Sequence, residues 1–247
     1  MEEKSCEKSH LIHCITNPIS MTSCANAILA LGARPIMAEH PDEVAEITRT
    51  ASSLLLNLGN ITDVRMTSMR LSLKEANRIG IPVTLDAVGV SCSMLRKTYT
   101  KLLLTTGKFA CIKGNYSEIL ALTDDTYKSS GVDAAQDISQ EQVEKSALEF
   151  SKSTGAIVVA TGKTDIVAFD GRIEKISGGS KMMAQVTGTG CMLGAVITTH
   201  LAFENDFESV TRACRFFKSC GVKAETTKGL GTYMVNLMDA IGEKDEI

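Results

Sequence analysis

Along the chain, apolar and polar positions alternate between two kinds of segment. Short runs rich in Ile, Val and Leu fall at residues 11–16, 35–38, 54–58, 81–86, 109–112 and 156–160. Runs this short, apolar on both faces and bounded by turn residues, predict strands covered on both sides. Between them, apolar residues recur at helical spacing at about 20–31, 42–51, 62–79, 116–122 and 139–153. Strand and helix in alternation predict an α/β protein with a mainly parallel central sheet between two helical layers. The rhythm then changes. Asp165–Phe169, an Asp170-Gly171 pair and Arg172–Ile176 predict a hairpin, because Asp-Gly tolerates the positive φ angles of a two-residue turn. Three helical stretches follow at about 189–203, 207–226 and 231–241. Pro41 with Asp42 and Glu43 fits the opening of a helix, with proline in first place and acids near the positive end of the dipole. Residues 124–139 are polar and aperiodic and predict a loop. No repeat or low-complexity linker divides the 247 residues, so a single domain spanning 1–247 is expected.

Composition narrows the classes of function. Lys and Arg number 26 against 29 Asp and Glu, for a net charge of −3, and aromatic residues make up 4%. A nucleic-acid surface normally carries a basic excess and stacking rings, so no nucleic-acid partner is expected. The opening residues are acidic and lack the apolar stretch of a secretion signal. The longest apolar-rich stretch, 191–203, falls short of the ~20 residues needed to cross a bilayer. A soluble, cytoplasmic protein is expected. The eight cysteines include no C-x-x-C pair and lie mostly in apolar runs, where a reducing compartment leaves them as small buried hydrophobes. Cys191 is the exception.

In open parallel sheets, ligands bind beyond the carboxyl ends of the strands. The predicted strands end in Thr16-Asn17, in Asn57-Leu58-Gly59-Asn60, in Asp86, in Lys113-Gly114-Asn115 and in Thr161-Gly162. Each alone is ordinary turn chemistry; together they describe one polar rim. The sharpest signal is the run Val186-Thr187-Gly188-Thr189-Gly190-Cys191-Met192-Leu193-Gly194-Ala195, which leads straight into an apolar helix. Glycines at 188 and 190 let backbone approach a ligand closely, and first-turn N–H groups lack intrahelical partners. The turn Gly188, Thr189, Gly190 is therefore either an anion site or a tight loop that packs a helix on the sheet. A dinucleotide fingerprint would need a third glycine where Leu193 stands, and a P-loop ending in Gly162-Lys163-Thr164 would need glycine where Ile157 stands. Neither motif holds. Asn115-Tyr116-Ser117-Glu118 reads either as a capping box or as a helix start whose Glu118 holds hydrated Mg²⁺ through water. Lys113 is either an ordinary strand-end lysine or a phosphate contact.

These motifs resemble the hydroxyethylthiazole kinase family of the ribokinase-like superfamily, over nearly the whole chain. The resemblance rests on Cys14-Ile15-Thr16-Asn17, Leu31-Gly32-Ala33-Arg34-Pro35-Ile36-Met37-Ala38, Leu56-Asn57-Leu58-Gly59, Leu85-Asp86-Ala87-Val88-Gly89, Lys113-Gly114-Asn115-Tyr116-Ser117-Glu118, Ala160-Thr161-Gly162 and Thr187-Gly188-Thr189-Gly190-Cys191. The last is the most specific, since most of the superfamily places aspartate where Cys191 stands. The resemblance implies a three-layer α/β/α fold and a homotrimer whose sites are shared between subunits. It also implies transfer of the ATP γ-phosphate to the primary alcohol of 4-methyl-5-(2-hydroxyethyl)thiazole, a salvage step toward thiamine phosphate. By position, it places Met37, Gly188 and Asn17 at the thiazole, Lys113 and Thr161 at ATP, Asp86 and Glu118 at Mg²⁺, and Cys191 as the base. Three departures stand out. Lys113 replaces the usual arginine, losing a bidentate fork but keeping the charge. Ala87 replaces a usual proline, which is expected to loosen the turn after Asp86, and Ser91 replaces a usual glycine.

Phosphoryl transfer depends chiefly on positioning and charge neutralisation. A free thiol with a pKa near ~8.5 is only a few per cent thiolate at neutral pH, but a helix N-terminus favours the anion. Cys191 is thus either a base for the alcohol or a space-filler under the turn. Met37 reads alone as core filler; against a flat heterocycle its thioether is also sound. Other readings are a different small-alcohol kinase of the same fold, a lyase repairing hydrated nicotinamide cofactors, whose turn should end in aspartate, and a nucleotide-binding regulator without turnover.

Overall fold

The six short apolar runs and the hairpin pair side by side in one sheet. A computed structural model of the chain describes residues 9–124, 126–127 and 138–243. The first half runs β1 (Leu11–Ile15), α1 (Met21–Ala30), β2 (Arg34–Ile36), α2 (Val44–Thr50), β3 (Ser53–Asn57), α3 (Asp63–Ile79), β4 (Val83–Asp86), α4 (Met94–Thr106), β5 (Cys111–Asn115) and α5 (Tyr116–Thr123). The second half runs α6 (Gln140–Thr154), β6 (Ile157–Thr161), β7 (Asp165–Phe169), β8 (Arg172–Ile176), a short 3-10 turn (Lys181–Gln185), α7 (Thr189–Phe203), α8 (Phe207–Lys223) and α9 (Leu230–Ile241). The strand order is β2-β1-β3-β4-β5-β6-β7-β8. Strands β1 to β6 are mutually parallel, and β7 runs antiparallel to both of its neighbours, β6 and β8.

Side chains alternate along each strand and so divide the core in two. Leu54, Leu56, Leu85, Ile112 and Val158 pack under α2 to α6, while Leu55, Cys111 and Val159 pack under α1, α7, α8 and α9. This is the expected three-layer arrangement. Asp170 and Gly171 both take positive φ, 47° and 77°, as the Asp-Gly hairpin requires. Helix α7 is buried on nearly every side because it lies between the sheet and α1 and α8. Its apolar character is that of a core helix. Among the described residues, no helix is long and apolar enough to cross a membrane.

Three expectations need correction. Helix α4 was not anticipated; four threonines in its thirteen residues weaken both the helical propensity and the apolar stripe. Helix α2 begins at Val44, because the His40 carbonyl accepts from the amides of both Glu43 and Val44 and turns residues 41–43 ahead of the helix. Strand β5 runs to Asn115, so Lys113 lies within the strand rather than beyond its end. Of the expected loop 124–139, residues 125 and 128–137 lie outside the described ones.

Two buried histidines tie stability to pH. His13 sits between the Thr48 hydroxyl and the Ala38 carbonyl, each at 2.9 Å, and burial lowers its pKa. His200 is 7% exposed with Nε2 unpartnered, and burial, with Arg212 adding to it, pushes its pKa down to about 4. A histidine held neutral in the fold stabilises it above the unfolded pKa and loses that contribution as pH falls toward the folded value. Between about pH 7.5 and about pH 5, His200→Gln is expected to lose roughly 2 kcal/mol less stability than the parent, read by urea unfolding at both values. The raised Asp86 described below acts in the opposite sense but is common to both proteins.

Candidate active site

Strand register brings three polar residues into a row. Asn57 on β3 is the register partner of Asp86 on β4, which is in turn the partner of Lys113 on β5. Alternation turns all three away from the Leu56, Leu85 and Ile112 side and toward α7. Lys113 Nζ donates to both Asp86 carboxylate oxygens at 3.1 Å, in a pair only 3% and 0% exposed. Burial pushes the Asp86 carboxyl up, to about 6; Lys113 pulls it back, and the charge of Glu118 adds to the rise. Burial works against the Lys113 ammonium, but Asp86, Glu118 and Cys191 outweigh it and hold its pKa above the ordinary value.

The row continues through two amides to the thiol. Asn57 Oδ1 accepts from the Gly59 N–H at 2.8 Å, so its Nδ2 faces Asp86 Oδ2 at 3.1 Å. Asn17 Oδ1 accepts from the Ser20 N–H at 3.0 Å, which turns its Nδ2 toward Asn57 Oδ1 at 3.1 Å and Cys191 Sγ at 3.3 Å. Asn17 and Asn57 follow β1 and end β3, the neighbours where the strand order reverses, as expected for a ligand site in an open sheet. Gly59 leaves room for the amides: a Cβ there would lie 2.8 Å from Asn17 Nδ2 and 2.9 Å from Asn57 Oδ1.

Helix α7 closes the site with its N-terminus. Gly188 is the N-cap, at φ 91°, a conformation that L side chains rarely adopt, and no side chain caps this end. The first-turn amides of Thr189, Gly190 and Cys191 thus form a cluster of donors. The Thr189 hydroxyl is spent inside the turn, donating to the Met183 and Val186 carbonyls. Lys113 Nζ lies 3.8 Å from where a Gly190 Cβ would stand, which sets an ammonium against the same turn. Gly194, one helical turn on, lets α7 approach Asp86, whose Oδ2 is 3.3 Å from that glycine's Cβ position. Beside the turn opens a cavity of about 630 Å³ lined by Thr161, Gly162, Thr189, Gly190, Phe217 and Lys218, among others. A larger cavity, about 1010 Å³, opens beside Val83, Ala110 and Ile157 at the amino ends of the strands, far from this chemistry.

Glu118 takes the first of its two readings, the capping box. The capping box is complete: Asn115 Oδ1 accepts from the Glu118 N–H and Glu118 Oε2 from the Asn115 N–H. Oε1 reaches further, accepting from the Gly89 N–H at 2.7 Å. The carboxylate therefore ties α5 to the turn after β4 while its charge still bears on Asp86. The Ala87 substitution does not loosen that turn. The Ala87 N–H donates to the Lys113 carbonyl at 2.8 Å and extends the β4–β5 ladder, a bond proline cannot make. Among the described residues, no group of three or more His, Cys, Asp or Glu could enclose a metal. Two carboxylates whose oxygens already accept hydrogen bonds suit an ion that keeps most of its waters, as Mg²⁺ does.

Met37 follows β2 and packs, half-buried, against the apolar cluster that also receives Cys191. Thr161 ends β6, its hydroxyl on the Gly114 carbonyl at 3.3 Å, and lines the cavity. Hydrogen bonds thus join Asn17 to Cys191 and Asp86 to Lys113, with Asn57 between the two pairs, while Thr161 and Gly190 line the cavity and Met37 shares an apolar cluster with Cys191. Sequence reasoning missed Lys218 and Asp165, an ion pair at 3.3 Å in the cavity wall. They come from α8 and β7, and no local motif marks them. It also left Asn57 and Gly59 as unassigned members of the polar rim.

The sheet order, the uncapped turn and the adjoining cavity define a ribokinase-like α/β/α protein. A ribokinase-like superfamily protein of Enterococcus faecalis shares this fold, with a TM-score of 0.67 at 12% identity, covering 96% of this chain and 90% of that one. The chain belongs to the hydroxyethylthiazole kinase family, whose model matches residues 3–245. It is 44% identical over 239 residues to hydroxyethylthiazole kinase 2 of Clostridium botulinum strain Langeland, covering 95% of this chain and 90% of that one. The solved hydroxyethylthiazole kinase protein of Pyrococcus horikoshii superposes with a TM-score of 0.86 at 32% identity, covering 96% and 89%.

The buried ion pair generates a test. Asp86→Asn or Lys113→Met alone strands a charge and is expected to cost about 3–5 kcal/mol in denaturant unfolding. The double variant is expected to cost no more than either single one, and additive losses would show that the two groups are uncoupled.

Proposed function

We propose that the chain transfers the γ-phosphoryl group of ATP to the primary hydroxyl of 4-methyl-5-(2-hydroxyethyl)thiazole. The observation that carries this reading is the uncapped α7 turn, with Lys113 Nζ on one side, the Cys191 thiol within it and a cavity of nucleotide size beside it. Family membership supplies the substrate pair, and the turn supplies the means.

In this reading the triphosphate enters from the cavity past Thr161, and its terminal phosphate meets the amides of Thr189, Gly190 and Cys191. Lys113 has three N–H donors, two of them on Asp86, which leaves the third for phosphate. The thiazole lies against Met37 and Gly188 near Asn17, its hydroxyl beside Cys191. A bond forms between the alcohol oxygen and the γ-phosphorus, the bond from that phosphorus to the β–γ bridging oxygen breaks, and ADP leaves. The alcohol proton passes to the Cys191 sulfur. Mg²⁺, held through water by Asp86 and Glu118, would neutralise charge on the phosphates.

A homotrimer with shared sites fits the exposed apolar residues that follow the carboxyl ends of the strands. Ile19 is 69% and Met94 76% exposed, with Val64 and Leu95 also in the open. A reducing cytoplasm fits a chain whose seven described cysteines are all free thiols.

The test is ADP release over a panel of alcohols. Release is expected with the hydroxyethylthiazole; release with a sugar or pyrimidine alcohol instead would overturn the substrate but spare the phosphoryl chemistry. Cys191→Ala is expected to lower kcat about a hundredfold and leave measurable turnover, since proton removal comes late in a loose transition state. Gly188→Val is expected to lose more, because a β-branched residue is strained at φ 91° and its Cβ would meet Ser20 Cβ at 3.1 Å. Equal losses would reverse the ranking of turn over base.

A further inference from the structure

The Asn17 amide has both Nδ2 hydrogens engaged, one on Asn57 Oδ1 and one on Cys191 Sγ, 3.1 and 3.3 Å away. An sp² amide is planar, so the direction of the second N–H is set by where the first is held. The holder is Asn57, which is fully buried. Asn57 cannot turn over: its oxygen answers the Gly59 N–H, and its own Nδ2 answers the Asp86 carboxylate. Backbone and carboxylate together thus aim Asn57, Asn57 aims Asn17, and Asn17 presents an N–H to the sulfur. A donor at sulfur favours the thiolate over the thiol, since hydrogen bonds to an ionised acceptor are about twice as strong as neutral ones.

We propose that Asn57 is a positioning residue for the thiol: it directs the Asn17 N–H at Cys191 Sγ and makes the reactivity of that sulfur depend on the Asp86–Lys113 pair two side chains away. The role of the thiol in turnover rests on the reading above; the effect of Asn57 on the sulfur does not. The other groups bearing on the sulfur are Lys113 from β5, Cys24 from α1 and the amides of its own helix end. Lys113 and the amides present positive charge on that side. Cys24, which burial pushes up to about 12, stays a neutral thiol.

The test is alkylation of Cys191 by iodoacetamide, followed by peptide mass spectrometry from neutral to alkaline pH, with no nucleotide or alcohol present. Exposed Cys92 serves as an internal reference. Two variants disturb the relay from different sides. Asn57→Leu removes it, and Gly59→Ala adds no polar group but drives a methyl between Asn17 Nδ2 and Asn57 Oδ1. Both are expected to slow Cys191 alkylation at neutral pH about tenfold and to displace its pH profile toward alkaline pH, with Cys92 unchanged. Adding Asn17→Leu to Asn57→Leu should slow it no further, because both act through one N–H. If Cys191 reacts at the parental rate and with the parental pH profile in folded Asn57→Leu, or in Gly59→Ala should the former not fold, Asn57 only packs and the proposal fails. Loss of thiazole phosphorylation with unchanged alkylation would also count against it. Slowed alkylation in a chain that phosphorylates some other alcohol would uphold it while overturning the substrate.

Discussion

A lysine and an aspartate, buried together beneath a helix, are the constraint on which the rest of this site depends. Either charge alone in that setting would carry a penalty of several kcal/mol, and their attraction offsets it only where the geometry is good and the remaining lone pairs are satisfied. The fold supplies both. Lys113 Nζ spans the two Asp86 oxygens, and Asn57 donates to the carboxylate from the other side. Gly194 lets α7 close over the carboxylate, and Gly190 lets the ammonium reach the turn. The small residues of α7 are thus placed by the charges they must accommodate.

The same closeness underlies the proposed anion site. An uncapped helix end and an ammonium held against it are two sources of positive potential, and in that proposal neither needs to move before a phosphate arrives. Preorganisation of this kind matters most for phosphoryl transfer, where little covalent help is asked of the protein. Glu118 plays a quieter part. By accepting from Gly89 and from its own N-cap, it fixes the turn after β4 to the start of α5, so both carboxylates sit on joined backbone. Arg96 of α4 donates to the Val88 carbonyl and braces that turn from outside.

Much of this was legible in the chain. All eight strands and the hairpin turn follow from short apolar runs and an Asp-Gly pair, because strand burial and positive φ are local demands on residue type. The N-cap glycine and the thiol were visible as a motif, since a turn that must avoid Cβ atoms shows itself in spacing. Helix α4 was not, because its exposed Met94, Leu95 and Leu102 and its buried Lys97 and Thr100 invert the usual stripe. The Ala87 departure was misread because its amide serves a neighbouring strand, 26 residues on.

What the chain determined by itself is therefore local: which segments are strands or helices, where the backbone must bend, and which residue types gather at strand ends. What tertiary structure decided is relational. Strand order set Asn17 beside Asn57 at the reversal, parallel register set Asn57 opposite Asp86 and Asp86 opposite Lys113, and the path of α7 set the thiol against the first of these amides. Pairings of this kind join segments tens of residues apart. Their energies depend on geometry that no single segment contains, so they exist only once the sheet has formed and α7 lies across it.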